Sequence, residues 1–182
     1  MKMKTLKNLI TTTFAMGTLL VSQLSNAQKL YVQSSNIKIE GTSTLHDWTM
    51  ASSQSAFTGN LTGNTISDVK FVMKATSLKS KESAMDKNAY KSLEASKYPD
   101  IIFTTASISV GTTTVNGSLT ITDTTRNIKF PVTVIKSGSN YIIKGSTKIK
   151  MSAFGIKPPS FMMGTIKTGD DITISINLTT TN

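Results

Sequence analysis

Ile37-Lys38-Ile39-Glu40-Gly41-Thr42-Ser43-Thr44-Leu45 is the stretch whose reading decides the fold. Ile37, Ile39, Gly41, Ser43 and Leu45 fall on one face of an extended chain, and Lys38, Glu40, Thr42 and Thr44 on the other. An apolar or small face alternating with a polar one describes a half-buried strand. The same period of two returns along the chain. It carries Val69, Phe71 and Met73; Val115, Gly117, Leu119 and Ile121; and Ile128, Phe130, Val132 and Val134. It continues through Tyr141, Ile143, Thr147, Ile149 and Met151, and ends in Ile172, Ile174, Ile176 and Leu178. Threonine is frequent between these positions, where its branched carbon suits the pleat and its hydroxyl faces water. Turn signals at Thr62-Gly63-Asn64, Val110-Gly111-Thr112 and Ser137-Gly138-Ser139-Asn140 separate the runs. Strands are therefore expected over 36–45, 54–61, 66–76, 101–110, 113–122, 127–136, 140–151 and 171–180. Short links make most neighbours antiparallel.

Two segments depart from this rhythm. Met85, Ala89 and Leu93 recur every four residues, with Lys87, Lys91 and Glu94 outside. The spacing predicts a helix over 84–95, opened by a capping box of Ser83 and Asp86 and ended before Pro99. Residues 152–170 hold Gly155, Pro158, Pro159, Gly164 and Gly169 together with Phe154, Ile156, Phe161, Met162 and Met163. So many large apolar side chains in a Gly/Pro-rich stretch should fold back over something apolar. Eight antiparallel strands with one apolar face form either a sandwich or a closed barrel, and length does not choose between them. A closed eight-stranded barrel would leave an interior just wide enough for side chains or one slender ligand.

Composition removes several functions. The chain has 182 residues, no Cys and one His. That excludes a disulfide framework, a thiolate metal centre, a cysteine nucleophile and any multi-histidine metal site. The length suits one domain, and 38% hydrophobic residues suffice for one core. The formal charge of +10 includes Lys2, Lys4 and Lys7, which precede an apolar run from Leu9 to Val21 and the small-residue site Ser25-Asn26-Ala27. This is the pattern of a cleaved secretory signal over residues 1–27, too short and threonine-broken to span a bilayer. Cleavage is expected after Ala27, leaving a mature domain over 28–182 in the periplasm or secreted. Without Cys it is not a lipoprotein. Removing three Lys leaves 17 basic against 10 acidic residues, a mature charge of +7. The remaining Lys are spread among Thr and acids along many strands, which argues against nucleic acid as a partner.

Further residues carry a resemblance. Gly41-Thr42-Ser43-Thr44-Leu45-His46-Asp47-Trp48 resembles the opening motif of secreted members of the YceI-like family, and matches follow in family order. They are Phe57-Thr58-Gly59, Ser77-Leu78-Lys79-Ser80, Lys97-Tyr98-Pro99-Asp100-Ile101-Ile102-Phe103 and Val115-Asn116-Gly117-Ser118-Leu119-Thr120-Ile121. Thr125-Arg126 with Phe130-Pro131-Val132, then Phe154-Gly155-Ile156 and Gly169-Asp170-Asp171-Ile172-Thr173-Ile174, complete the series. Met85-Asp86-Lys87-Asn88-Ala89-Tyr90 departs from the family's acidic, arginine- and phenylalanine-rich run. The resemblance implies an all-β, eight-stranded, antiparallel up-and-down barrel of lipocalin type with one short helix inserted. It also implies a polyisoprenoid or similar long-chain lipid as partner.

Trp48, Phe71, Met73, Met85, Leu119, Phe130, Phe154, Phe161, Met162 and Met163 are the candidates to line such a cavity, since methionine adapts to an irregular or flexible ligand. Plain core packing is the competing reading of each. His46-Asp47-Trp48 is the most tempting chemistry. Adjacent strand residues point to opposite faces, so Asp47 is badly placed to orient His46 as a triad acid would. The pair is read as tying down a strand corner, with a head-group contact at a barrel mouth as the alternative. Arg126, the one arginine, is read as a turn residue paired with Asp123 rather than a phosphate ligand.

The leading function is an exported carrier or reservoir for a long apolar lipid. The alternative is a ligand-free exported barrel acting as a structural, interaction or stress-response module. An enzyme is not expected, because no paired-carboxylate or nucleophile pattern accompanies the lone histidine. No cofactor or metal is expected. A mildly basic surface would suit transient contact with an anionic membrane. A homodimer is compatible with the chain but not specified by it.

Overall fold

The computed structural model describes residues 27–181, with the side chains of Phe161 and Met162 excepted. The expected signal segment, residues 1–27, lies outside the described residues but for Ala27. In chain order the elements are β1 (Gln28–Ser43), β2 (Trp48–Ser52), β3 (Ser55–Thr62) and β4 (Thr65–Lys74), then helix α1 (Ser83–Ser92). Next come β5 (Asp100–Ser109), β6 (Gly111–Ile121), β7 (Thr124–Ser137), β8 (Asn140–Lys150), the two-residue β9 (Ser160–Phe161) and β10 (Ile166–Thr181).

All pairings are antiparallel, and the pairing of β1 with β10, from Tyr31↔Thr181 to Ser43↔Thr168, closes the sheet on itself. The result is a barrel with eight wall positions. Closure leaves no long free edge, which is how a sheet of this size avoids pairing with other chains. β2 and β3 share one of those positions. Residues 28–31 of β1 pair with β3, and residues 37–41 pair with β2. The alternation predicts the first strand over 36–45 and gives no sign of β2. β1 begins eight residues earlier, and a bulge between Val32 and Ser34 switches its inward face from even to odd positions. That switch erases the period of two on which the reading depended. Leu45, read as inward-facing, lies beyond the strand end and is 67% exposed.

The inward positions form one core. At the end bearing the β3–β4 and β7–β8 turns, Leu30, Ile66, Val134 and Thr180 are fully buried with Leu61 and Tyr141 beside them. They plug the barrel there. Gly63 and Gly138 make those two turns at φ 60° and 62°, a region where a side chain would be strained. The opposite end carries the long connections: the β1–β2 corner, the segment with α1 between β4 and β5, and residues 151–165 before β10.

α1 forms where its apolar face predicts, but its start differs. No side chain caps it in the manner of a capping box, and Ser83 plays no such part. Instead the buried Asp86 carboxylate accepts hydrogen bonds from the backbone N–H and hydroxyl of Ser80 at 2.7 and 2.8 Å. The carboxylate thus ties the first turn of α1 to the strand exit rather than to its own N-terminus.

Candidate functional site

Between the plug and the long connections the barrel is hollow. The lumen has a volume of about 400 Å³. Its wall is built from residues of every strand but β9, among them Ile37, Ile39, Met50, Phe57, Val115 and Ile143, and Ile172, Ile174, Ile176 and Leu178. Along β10, Ile172, Ile174, Ile176 and Leu178 extend over about 20 Å of strand. A volume of this size drawn out over that length is a narrow blind tube, wide enough for one slender chain.

Two aromatic contacts shape the wall. Phe103 and Phe130 meet edge to face with ring centroids 5.6 Å apart. The Phe103 ring lies against Gly117, where an added Cβ would come within 2.4 Å of its Cζ and 2.6 Å of the Thr104 carbonyl oxygen. At the mouth the Trp48 indole covers Gly41, where a Cβ would sit 2.2 Å from Cζ2. Its Nε1 donates to the Thr42 carbonyl at 3.0 Å. Glycine at 41 and 117 lets a large ring lie flat on the strand and narrow the tube.

The mouth is rimmed by the β1–β2 corner, by α1 and by the hairpin of β9 and β10. α1 presents Met85 and Ala89 to the lumen and its C-cap residue Leu93 joins them, with Asn88 and Ser92 beside them. The corner is fixed by Ser43, whose Oγ accepts from the N–H groups of Leu45 and His46 and donates to the His46 carbonyl at 2.7 Å. His46 itself lines the lumen. Its Nδ1 lies 2.7 Å from the Asp47 carbonyl oxygen, which can only accept, so Nδ1 carries the proton. In the neutral ring Nε2 is left as an acceptor. Asp47 is exposed and holds the imidazole through its backbone, not its carboxylate. Ser43, Glu82, Thr147 and Thr168 supply other polar groups along the wall. Among the described residues no Lys or Arg lines the lumen. No group of three or more potential metal-ligating side chains occurs among them either.

Of the ten residues expected to line a cavity, Trp48, Phe71, Met73, Met85, Leu119 and Phe130 do so. Phe154 is fully buried but lies off the lumen wall, under the connection after β8. Its carbonyl accepts from the Thr122 hydroxyl at 3.0 Å, which fastens that connection to the β6–β7 turn. Met163 is fully exposed at φ 55°. Phe161 and Met162 have no described side chains. Arg126 is not paired with Asp123: its Nε donates to the Ala153 carbonyl at 3.0 Å, holding the same connection from outside. Asp123 instead accepts from the hydroxyls of Tyr98 and Thr124. Asp170 completes the fastening by accepting from the hydroxyl and backbone N–H of Ser152, and these bonds hold its carboxyl below the usual carboxylate range. Asp86 is lowered likewise by the Ser80 backbone and hydroxyl, with Lys79 Nζ 3.7 Å away adding to the effect. The sequence reading missed Ile37, Ile39, Met50, Phe57 and Phe103 as wall residues. The signal for the first two was the alternation itself.

The family model described as YceI-like domain matches residues 27–180. Comparison with curated proteins finds no match. Among solved structures the chain is similar to BcnA of Burkholderia cenocepacia, at 16% identity and a TM-score of 0.66, covering 80% of this chain and 95% of that one. It is similar to a polyisoprenoid binding domain from Saccharophagus degradans implicated in plant cell wall breakdown, at 12% identity and a TM-score of 0.65, covering 84% and 97%. A Campylobacter jejuni YceI protein matches at 20% identity and a TM-score of 0.55, covering 64% of this chain and 73% of that one. At these identities the likeness establishes the shared barrel.

Proposed function

The chain belongs to the family of YceI-like domains, and on that premise we propose that it is a binding protein rather than a catalyst, holding a long apolar lipid of the polyisoprenoid type in its lumen as carrier or reservoir. The observation that carries the reading is the blind, narrow, apolar tube with no cation on its wall. A flexible hydrocarbon chain fits such a tube and gains roughly 25 cal/mol for each Å² of apolar surface removed from water. The polyisoprenoid binding domain from Saccharophagus degradans has the same barrel, which supports the lipid class. Residues 1–27 have the character of a secretory signal, which supports export. A ligand of this kind is supplied from a membrane, so transient contact with a bilayer belongs to the same reading.

The wall also selects the head group. An isoprenyl diphosphate drawn inside the lumen, away from Lys157 and Lys167 outside the wall, would meet Glu82 and, among the described residues, no lining Lys or Arg, and a buried anion without a partner is strongly disfavoured. An alcohol head group can instead donate to His46 Nε2, and an alcohol or carbonyl oxygen can accept from Asn88, Ser92 or Thr168. Trp48, the single tryptophan, stands on the wall and reports occupancy through its fluorescence. Titration with an isoprenoid alcohol and with the matching diphosphate tests the proposal. The alcohol should bind at least about tenfold more tightly, since removing an unpaired charge from the mouth is worth more than 1.4 kcal/mol. Equal or tighter binding of the diphosphate would refute the neutral-head assignment. Silence of Trp48 toward both would refute the lumen as a lipid site.

A further inference from the structure

Two exposed apolar side chains stand on the mouth rim, where core packing does not account for them. Leu45 lines the lumen opening and is 67% exposed. Met163 is fully exposed on the hairpin of β9 and β10, whose flanking residues Pro159 and Ile166 line the same opening. The two tips form one unit: Thr44 N–H donates to the Lys167 carbonyl at 2.9 Å, and Lys167 N–H to the Thr44 hydroxyl at 3.1 Å. Met163 sits at φ 55°, ψ 32°, a left-handed conformation that is unfavourable for a residue other than glycine or asparagine. A large apolar residue held there without burial contributes nothing to the folded core. Among the described residues the other large exposed apolar side chains, Tyr31 and Ile135, lie on outer faces of regular strands, beside Lys29 and Ile142.

We propose that this rim is the surface by which the protein docks on an anionic bilayer, with Leu45 and Met163 entering the interfacial layer and Lys157 and Lys167 meeting lipid phosphates. The inference rests on the lumen being a lipid site and goes beyond it by naming the docking surface. From Ser152 to Gly169 the chain carries Lys157 and Lys167 and no acid, and both lysines are exposed. Asp170 and Asp171 beyond it are engaged with Ser152 and Lys150. Asp47 at the β1–β2 corner and Glu82 at the start of α1 are exposed acids that oppose the two lysines. Charge alone therefore does not hold the protein on the membrane, and the apolar pair has to supply most of the attraction. Docked in this way, the mouth opens onto the layer in which a water-insoluble ligand resides.

Cosedimentation of the mature protein with vesicles of phosphatidylcholine, with and without phosphatidylglycerol, tests the proposal. The wild type should bind the anionic vesicles, and added salt should weaken that binding. The Leu45→Ser/Met163→Ser variant should lose about tenfold or more in vesicle affinity, from two lost apolar insertions. The Met163→Ser variant alone, whose side chain is off the lumen wall, should keep the wild-type Tm and the wild-type uptake of an isoprenoid alcohol delivered from detergent. Lys157→Gln/Lys167→Gln should bring binding to anionic vesicles down to the level seen with phosphatidylcholine alone, and Leu45→Trp should strengthen it. A wild type indifferent to both vesicles, or a Ser variant that binds as well as the wild type, overturns the docking surface. If detergent-delivered lipid still binds in that case, the lumen assignment stands. Failure of that uptake in the wild type would instead sink the lipid site itself.

Discussion

Replacing Thr147 by Phe separates a lumen that is kept empty for a ligand from one that is simply an apolar core. Thr147 is half-buried on β8, paired with Ile174 of β10, and its side chain lies on the lumen wall. In a tube of about 400 Å³ a phenyl ring has room to lie along the axis. It would remove roughly 80 to 100 Å² of additional apolar surface from water, worth about 2 to 2.5 kcal/mol. Ordering the side chain takes back about 0.5 to 1 kcal/mol. The net gain of about 1 to 2 kcal/mol corresponds to a Tm rise of roughly 3 to 6 °C for a domain of this size. The same ring would occupy the ligand's path, so affinity for an isoprenoid alcohol should fall by at least about tenfold. Thermal melts of the ligand-free protein and Trp48 fluorescence titrations read the two effects. A closely packed barrel predicts the opposite sign, because forcing extra carbon into a full core destabilises by about 1 to 3 kcal/mol. A lowered Tm would therefore refute the empty-lumen reasoning and favour the ligand-free module.

Gly117→Ala places a Cβ against the Thr104 carbonyl oxygen as well as the Phe103 ring, and a backbone oxygen cannot swing aside. It should destabilise by about 3 kcal/mol, lowering Tm by roughly 6 to 12 °C in a thermal melt. Gly41→Ala meets only the Trp48 indole, which can move. It should break the Nε1 bond to Thr42, shift the Trp48 emission to longer wavelength and weaken lipid binding more than it lowers Tm. The folded carboxyls of Asp86 and Asp170 are lowered, so their stabilisation is full above the ordinary carboxylate range near ~4 and is lost as pH falls through their folded values. Asp86→Asn and Asp170→Asn should therefore lower Tm at neutral pH, and the gap from wild type should close below that range. A gap that persists unchanged to the lowest pH would contradict the assignment.

The strands were legible wherever one face stays buried without interruption, as from Val115 to Ile121 and from Ile128 to Val134. There the period of two is unbroken and every inward residue is apolar or glycine. Reading failed where a bulge changes the inward parity, as in the first half of β1, and at β2, whose five residues are too few to display a period. Closure of the barrel depends on β1 meeting β10 across nearly the whole chain, and no local pattern specifies so distant a pairing. The family resemblance, not the alternation, pointed to a barrel. At the site, lumen residues on strands and on α1 could be picked out because alternation or four-residue spacing fixes their direction. Those in residues 152–165 could not. There backbone turns at Gly155 and Met163 decide which apolar side chains face in, and composition says only that the segment is apolar. Arg126 illustrates the same limit: Asp123 is near in sequence, but the Ala153 carbonyl is brought beside it by the fold.

Native mass spectrometry of the protein purified from its own cells under non-denaturing conditions, followed by solvent extraction, tests the central claim most directly. The account predicts a bound species released by organic solvent as a long-chain isoprenoid with an uncharged head group, one per chain. A protein that carries no lipid and does not take up an isoprenoid alcohol offered in detergent would contradict it.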